Sequence, residues 1–425
     1  MKAKILFAAL FAAFITFSSA QQFEVRLEPD PRLDSSVFGA AEIPAEPFVR
    51  ASLLASGADS AAIEQCAERL ENLWQEVLPQ ANEFDGVEER ADALLFFVCQ
   101  KILSKYDFYQ TRVDLAMESG VYNCVSSAVL FMYFCKRAGI PVIANESPRH
   151  AFCTIFDGPN KIDVETTNPY GVNPGKRRNE TLGSGKTKWI TVPAKDYAGR
   201  HQIDDRRLIG IIYGNRISQL QRKKRDDQTV GLAVDAYEVQ GRSPAARNDL
   251  DSCVANASAA LARAGKEEEA IALLKNAEEI FGPSDLWTNR ISTNYYNLVL
   301  GTINNRPFGE ALAQVEANKD NLSQKDYAEL KEYAYLTGAQ EWAKKMDWRA
   351  AIRIAQEGLA AIPQSKRLMN NKNVYAQNLA VDFHNEAVDL FNAGKKDEAA
   401  AKIRAGLAEV PENKILLNDL NKMTK

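Results

Sequence analysis

Histidine is scarce in this chain, and its scarcity narrows the chemistry that the chain can perform. Only His150, His201 and His384 occur in 425 residues, and none of the six cysteines belongs to a CxxC pair. Because a structural zinc site needs cysteine and histidine ligands at short spacings, the sequence predicts no metal site. We also expect no cofactor.

An excess of basic residues is also missing. The 52 lysines and arginines are outnumbered by 56 acidic residues, so the net charge is −4. This balance gives no reason to expect binding to nucleic acid or to an anionic membrane. Beyond the N-terminus, no second apolar run is long enough to span a membrane.

The first twenty residues have the features of a secretory signal. Lys2 and Lys4 precede the apolar stretch ILFAALFAAFITF, which is short for a membrane span. Ser18 and Ala20 are the small residues of the expected cleavage site, so the mature chain would begin at Gln21. We expect an exported protein, periplasmic or secreted, with no stable membrane insertion after cleavage. An uncleaved anchor is the alternative.

The six cysteines all lie in the expected mature chain, and their even number permits three disulfides. Cys66 and Cys99, on two predicted helices, are one possible pair. An exported thiol usually finds a disulfide partner, whereas a thiol at a helix N-terminus becomes acidic and nucleophilic. If Cys124 is such a nucleophile, at least one other cysteine is unpaired.

Residues 47–200 are expected to form an α+β domain after a proline-rich, extended lead-in at 21–46. Apolar residues recur at helical spacing first, and short β-rich runs then follow. The expected helices cover about 47–56, 59–78, 88–106 and the segment from Cys124. The expected strands of a small antiparallel sheet are PVIANE, HAFCTIF, KIDVETT and KWITVPA. Helices followed by a small sheet are typical of an α+β layer arrangement.

From about residue 205 to 425 the pattern is that of helical repeats. A small residue recurs at steps of 39, 41, 40 and 48, at Gly231, Ala270, Ala311, Ala351 and Ala399. A proline follows in four of the five units, at Pro244, Pro283, Pro363 and Pro411. This periodicity predicts an all-α solenoid of helix pairs and resembles tetratricopeptide repeats. The groove of such a solenoid would bind a protein or peptide partner; an irregular helical bundle is the alternative.

The segment YNCVSSAVLFMYFCKRAGIPV, at 122–142, predicts a buried helix that begins at a cysteine. Asn123 is a suitable N-cap, Gly139 suits the position after the helix end, and Pro141 blocks continuation. Cys124 then occupies the first turn. By itself this proves little, because most free cysteines are buried and inert.

His150 supplies the base that thiol chemistry needs, and a hairpin supplies the acceptor that orients it. If DGPN closes a loop of even length, Thr154 pairs with Asp163, and His150, Glu165 and Asp163 project from one face. Glu165 is diagonal to His150 and is the favoured orienting residue. Asp163, two residues further along the strand, is the reserve.

Three segments carry a family resemblance: NCVSSAVLFMYFCKRAGIPV, SPRHAFCTIF and KIDVETTNPYG. Together they resemble the transglutaminase-like superfamily of papain-like thiol folds, over about residues 120–172. The resemblance implies that Cys124 is the nucleophile, His150 the base and Glu165 the acid, within ETTNPYG rather than the commoner Asp-Pro pattern. The amide N–H of Cys124 is the default oxyanion donor, and the Asn123 side chain is a second candidate.

Two classes of function stay open at this point. The first is an exported thiol enzyme, either a cysteine peptidase or amidase or an acyltransferase, that acts on amide or peptide bonds through a thioester. The second is a catalytically inactive module on a repeat scaffold for protein–protein interaction. A thiol enzyme acting on cell-wall peptides is a third, weaker hypothesis. The sequence does not indicate the oligomeric state.

Overall fold

The structure is a computed structural model that describes residues 25–173, 192 and 194–423. The expected signal segment lies outside these residues, as does nearly all of the expected strand at 188–194. Contacts divide the chain into a first unit, Met1–Cys253, and a second unit, Val254–Lys425. This division lies later in the chain than the boundary predicted near residue 205.

Five helices form most of the first unit before its sheet. They are α1 Ala45–Ser56, α2 Ser60–Ala81, α3 Val87–Lys101, α4 Val113–Ser119 and α5 Cys124–Arg137, preceded by a 3-10 helix at Ser35–Val37. Helix α3 ends at Lys101, although the sequence pattern predicted helix to residue 106. The reason is that Lys105–Tyr106 (β1) instead pairs in parallel with Val121–Tyr122 (β2), directly before α5.

The sheet of the first unit has four antiparallel strands in the order β5-β4-β3-β6. The strands are β3 Val142–Ser147, β4 His150–Asp157, β5 Asn160–Val164 and β6 His201–Ile203. Thr154 lies opposite Asp163 in the β4–β5 hairpin, so the predicted register is confirmed. The edge strand β6 was not predicted from the sequence.

Helix α5 lies at the centre of the first unit and packs against α1, α3, α4 and β4. Every residue from Cys124 to Cys135 is buried, as expected for a helix that is apolar around most of its circumference. Asn123 caps its N-terminus in a capping box with Ser126. Gly139 follows the helix with a φ of +67°, which confirms the predicted ending.

Two further helices, α6 Asp205–Arg222 and α7 Thr229–Val239, belong to the first unit rather than to the predicted repeats. Ion pairs with early parts of the chain explain this. The carboxylate of Asp205 accepts bonds of 2.7 Å from Lys136 Nζ and from the amide of Ile43. Asp235 is held by Arg26 at 2.7 Å. Such long-range pairs override the local repeat pattern.

The second unit is helical throughout its described residues, and α8 crosses the division between the units. Its helices are α8 Pro244–Arg263, α9 Glu267–Phe281, α10 Asp285–Asn305, α11 Phe308–Ala317, α12 Gln324–Lys344, α13 Trp348–Ala361, α14 Lys366–Asn392, α15 Lys396–Glu409 and α16 Lys414–Met423. Four of the recurring small residues lie in the first turn of α9, α11, α13 and α15. They are at most 2% exposed: Ala270, Ala311, Ala351 and Ala399. An α+β first part and an all-helical second part agree with the predicted fold class.

All six cysteines are free thiols, so Cys66 and Cys99 do not form the disulfide that the sequence allowed. Their surroundings differ. Cys66 is half-buried near the charges of Asp114 and Arg69, whereas Cys99 is buried near Glu165. Among the described helices, none combines the length and the apolar character needed to cross a membrane.

Candidate active site

The thiol of Cys124 lies at the first position of α5 and is only 6% exposed. The Asn123 Oδ1 atom accepts the amide N–H groups of Val125 and Ser126, each at 3.0 Å. The cap makes no bond to the amide of Cys124 itself. That amide belongs to the first turn of α5, at the positive end of the helix, where a developing negative charge is stabilised.

His150 opens strand β4 and connects the thiol to a carboxylate. Its Nε2 atom lies 2.7 Å from Glu165 Oε2, and its ring is close enough to Cys124 for the charges of the two groups to interact. Because Nε2 faces Glu165, Nδ1 is the nitrogen left for the thiol. The structure thus brings together the three residues on which the sequence analysis centred.

Glu165 follows the end of β5 and is held from several directions. Its Oε1 atom accepts bonds from the amide and hydroxyl groups of Thr167, at 3.1 and 2.7 Å. Its Oε2 atom accepts bonds from His150 and from the hydroxyl group of Tyr197. These bonds leave the carboxylate little freedom, so it fixes the orientation of the imidazole.

Asp163, the reserve for Glu165, serves a different purpose. It accepts a 3.0 Å bond from the Thr154 hydroxyl group and pairs with Arg200. Its side chain is 34% exposed, compared with 6% for Glu165. Asp163 therefore belongs to a half-exposed polar cluster on the sheet and makes no bond to His150.

The electrostatics of the site favour a charged imidazole. Burial lowers the pKa of His150, but the interactions of its ring with Cys124 and with the bonded carboxylate of Glu165 outweigh burial and raise it to about 10. Burial also opposes ionisation of Glu165, yet its bonds from His150, Tyr197 and Thr167 lower its pKa. At neutral pH the site therefore holds an imidazolium beside an ionised carboxylate.

Two tyrosines complete the site, and sequence reasoning missed both. The Tyr106 side chain lies near Cys124, and burial, followed by the charges of Cys124 and Glu165, raises its pKa. Tyr197 packs edge-on against His150, with ring centroids 5.5 Å apart. Residue 106 was assigned to the end of a helix. Tyr197 lies in a 3-10 helix, Ala194–Tyr197, far along the chain from Glu165.

The thiol and the imidazole open onto a cleft of about 270 Å³. Its wall is formed by the N-terminus of α5, the β3–β4 turn, the loop at 108–111 and one face of α6. Asn123 also lines this cleft. Since Asn123 Oδ1 is committed to two amides, its orientation is fixed and its Nδ2 group is left as a donor at the cleft. Asn123 Nδ2 and the Cys124 amide therefore stay the two candidate oxyanion donors.

Comparison with protein-family models and with curated proteins found no match for this chain. Within the described part of the chain, no group of three or more His, Cys, Asp or Glu side chains could hold a metal ion.

Proposed function

We propose that the first unit is a transglutaminase-like thiol enzyme that acts on amide or peptide bonds. The observation that carries this proposal is the position of Cys124 beside His150, whose Nε2 atom lies 2.7 Å from Glu165, at the edge of a cleft. A thiol at a helix N-terminus, an imidazole in contact with it and a carboxylate that orients the imidazole form the arrangement used by papain-like enzymes.

The chemistry follows from these positions. The imidazolium of His150 already holds the proton that the Cys124 thiol has given up, and the Cys124 thiolate attacks the amide carbonyl carbon. The resulting oxyanion is bound by the Cys124 amide and Asn123 Nδ2. His150 then gives its proton to the leaving amine, and the C–N bond breaks to leave a thioester on Cys124.

The second half of the reaction regenerates the enzyme. Water or a second amine attacks the thioester and loses a proton to His150, and the thiol is released. Water gives peptidase or amidase activity, while an amine gives acyl transfer. Glu165 stays ionised throughout and stabilises the imidazolium.

The second unit is proposed to be a tetratricopeptide-like solenoid that binds a protein or peptide partner. The support is the buried alanine in the first turn of α9, α11, α13 and α15, which lets paired helices approach closely. With the expected signal segment, the full proposal is an exported, periplasmic or secreted, two-part enzyme.

A catalytically inactive scaffold remains the second candidate, and one observation favours it. Cys124 is only 6% exposed and lies near Tyr106 as well as His150. A thiol held this closely could serve packing alone, with the repeats providing the only function.

Incubation of the protein with amide and ester acyl donors, followed by intact mass measurement, separates the two candidates. The enzyme proposal expects an acyl adduct that maps to Cys124 and is absent from Cys124→Ala. A folded, reduced protein that forms no adduct with any donor supports the scaffold.

A further inference from the structure

Basic side chains outnumber acidic side chains in the lining of the cleft. Besides His150, the cleft is lined by Glu146, Arg149 and Arg222. Glu146 is already bound by Arg207 through two bonds of 2.9 Å, a bidentate pair that neutralises its charge. The cleft therefore presents its cationic side chains with no acidic side chain left to balance them.

Arg149 and Arg222 have no carboxylate partner among the described residues. Arg149 directly precedes His150 in the β3–β4 turn, and Arg222 ends α6. Among the described residues, the side chain of Arg222 makes one hydrogen bond, from Nε to the carbonyl oxygen of Ser218, at 3.2 Å. Two guanidinium groups with free donors thus border the cleft that contains the thiol.

An aromatic pair forms another wall of the same cleft. Phe108 is 52% exposed and Tyr109 71% exposed, although their rings contact each other edge-on at 5.3 Å between centroids. The Tyr109 carbonyl oxygen accepts a 3.3 Å bond from Gln219, which fixes the loop against α6. Exposed aromatic side chains held in this way suit contact with an apolar group of a ligand.

Building on the proposed function, we propose that the acyl donor is an acidic peptide, with carboxylate side chains flanking the amide that Cys124 attacks. Arg149 and Arg222 bind these carboxylates, and Phe108 and Tyr109 contact an apolar side chain. A cleft of about 270 Å³ lies near the lower end of ligand pockets, which hold roughly 300–1,000 Å³. It therefore fits a short peptide segment.

Binding can be tested separately from catalysis. Fluorescent peptides of one backbone, with Asp, Asn or Lys on both sides of a central glutamine, would be titrated against the Cys124→Ala protein by anisotropy. We expect the Asp peptide to bind tighter than the Asn peptide by about tenfold, since each exposed ion pair contributes about 2–5-fold. The difference should shrink at about 0.5 M salt because the charges are screened.

Variants locate the preference. Arg149→Gln and Arg222→Gln, each in the Cys124→Ala background, should lower the Asp-to-Asn affinity ratio by about 2–5-fold. Arg207→Gln should also lower it, since it frees the charge of Glu146. Lys161→Gln removes an equal charge from exposed β5, outside the cleft, and should leave the ratio within twofold.

Equal binding of the Asp and Asn peptides, or an equal loss in Lys161→Gln, would overturn the acidic-peptide inference. A separate labelling of the wild-type protein with iodoacetamide addresses the proposed function. If Cys124 does not react while the Asp peptide is still preferred, the enzyme proposal fails and the binding inference stands.

Discussion

Replacing His150 with glutamine tests whether the imidazole activates Cys124. Glutamine keeps a polar group of similar reach but carries no charge at any pH. Because His150→Gln removes the group that takes the thiol proton, it should lower the alkylation rate of Cys124 at pH 7 by about 100-fold.

The pKa of His150 determines the pH range in which His150→Gln should slow the alkylation of Cys124. The pKa of His150 is raised to about 10, so its positive charge is present below that pH and is lost above it. The imidazolium should therefore assist alkylation of Cys124 in the wild-type protein up to about pH 9. The advantage of the wild-type protein over His150→Gln should shrink as the pH rises towards 10.

The assay measures the second-order rate of iodoacetamide labelling, with peptide mapping by mass spectrometry to separate the six thiols. Cys66 is the half-exposed background thiol, and Cys66→Ala removes it. His201→Gln is the matched control because its side chain is 63% exposed and lies outside the cleft. Equal rates and equal pH slopes in wild type and His150→Gln would refute the reasoning.

Three further predictions concern the oxyanion donors, the pH dependence of stability and the packing of the second unit. Asn123→Ser keeps a capping oxygen but loses Nδ2, so the rate of acyl-enzyme formation should fall by about 100-fold. The free energy of unfolding of this variant, measured by urea denaturation, should change by less than about 1 kcal/mol. Asn123→Ala should lose the activity and also about 1–2 kcal/mol of unfolding free energy. The pKa of Glu165 is lowered from 4.5, and that of His150 is raised from 6.5 to about 10. The pair should therefore stabilise the first unit most between about pH 5 and 6.5. This stabilisation should decrease in acid, as Glu165 becomes protonated, and also as the pH rises towards 10, where His150 loses its proton. Thermal unfolding of wild type and Glu165→Gln from pH 4 to 10 checks this, and an equally large alkaline decline in Glu165→Gln would contradict it. Gly358→Ala should destabilise α13 by about 1–3 kcal/mol, because an added Cβ would lie 2.9 Å from Leu368 and Tyr335 side-chain atoms. Gly301→Ala should instead stabilise α10 by about 0.5–1 kcal/mol, because no heavy atom lies within 4 Å of the added Cβ. Hydrogen exchange of α13 and α10 measures the two effects separately.

Local features of the site could be predicted because each depends on neighbours in the chain. The cap at Asn123, the end of α5 at Gly139 and the pairing of Thr154 with Asp163 follow from capping chemistry and hairpin parity. That parity placed Glu165 on the same face as His150. Strand geometry was therefore enough to predict the contact between Glu165 and His150, whose side-chain atoms lie 2.7 Å apart.

Features that depend on distant segments could not be predicted in the same way. Tyr197 reaches Glu165 from 32 residues away, and no periodicity relates the two. Asp205 and Asp235 join α6 and α7 to the first unit through Lys136 and Arg26. The sequence pattern of α7 resembles that of the later repeats. A prediction made from local sequence patterns therefore places the boundary between the two units too early in the chain.

The central claim is that the proton of the Cys124–His150 pair resides on the imidazole. The chain has only three histidines, so NMR titration of imidazole-labelled protein, assigned with His201→Gln and His384→Gln, can follow His150 directly. We predict that His150 stays protonated through pH 8, loses its proton near pH 10, and titrates at lower pH in Cys124→Ala. An imidazole that is neutral at pH 7 in the wild-type protein would contradict the account.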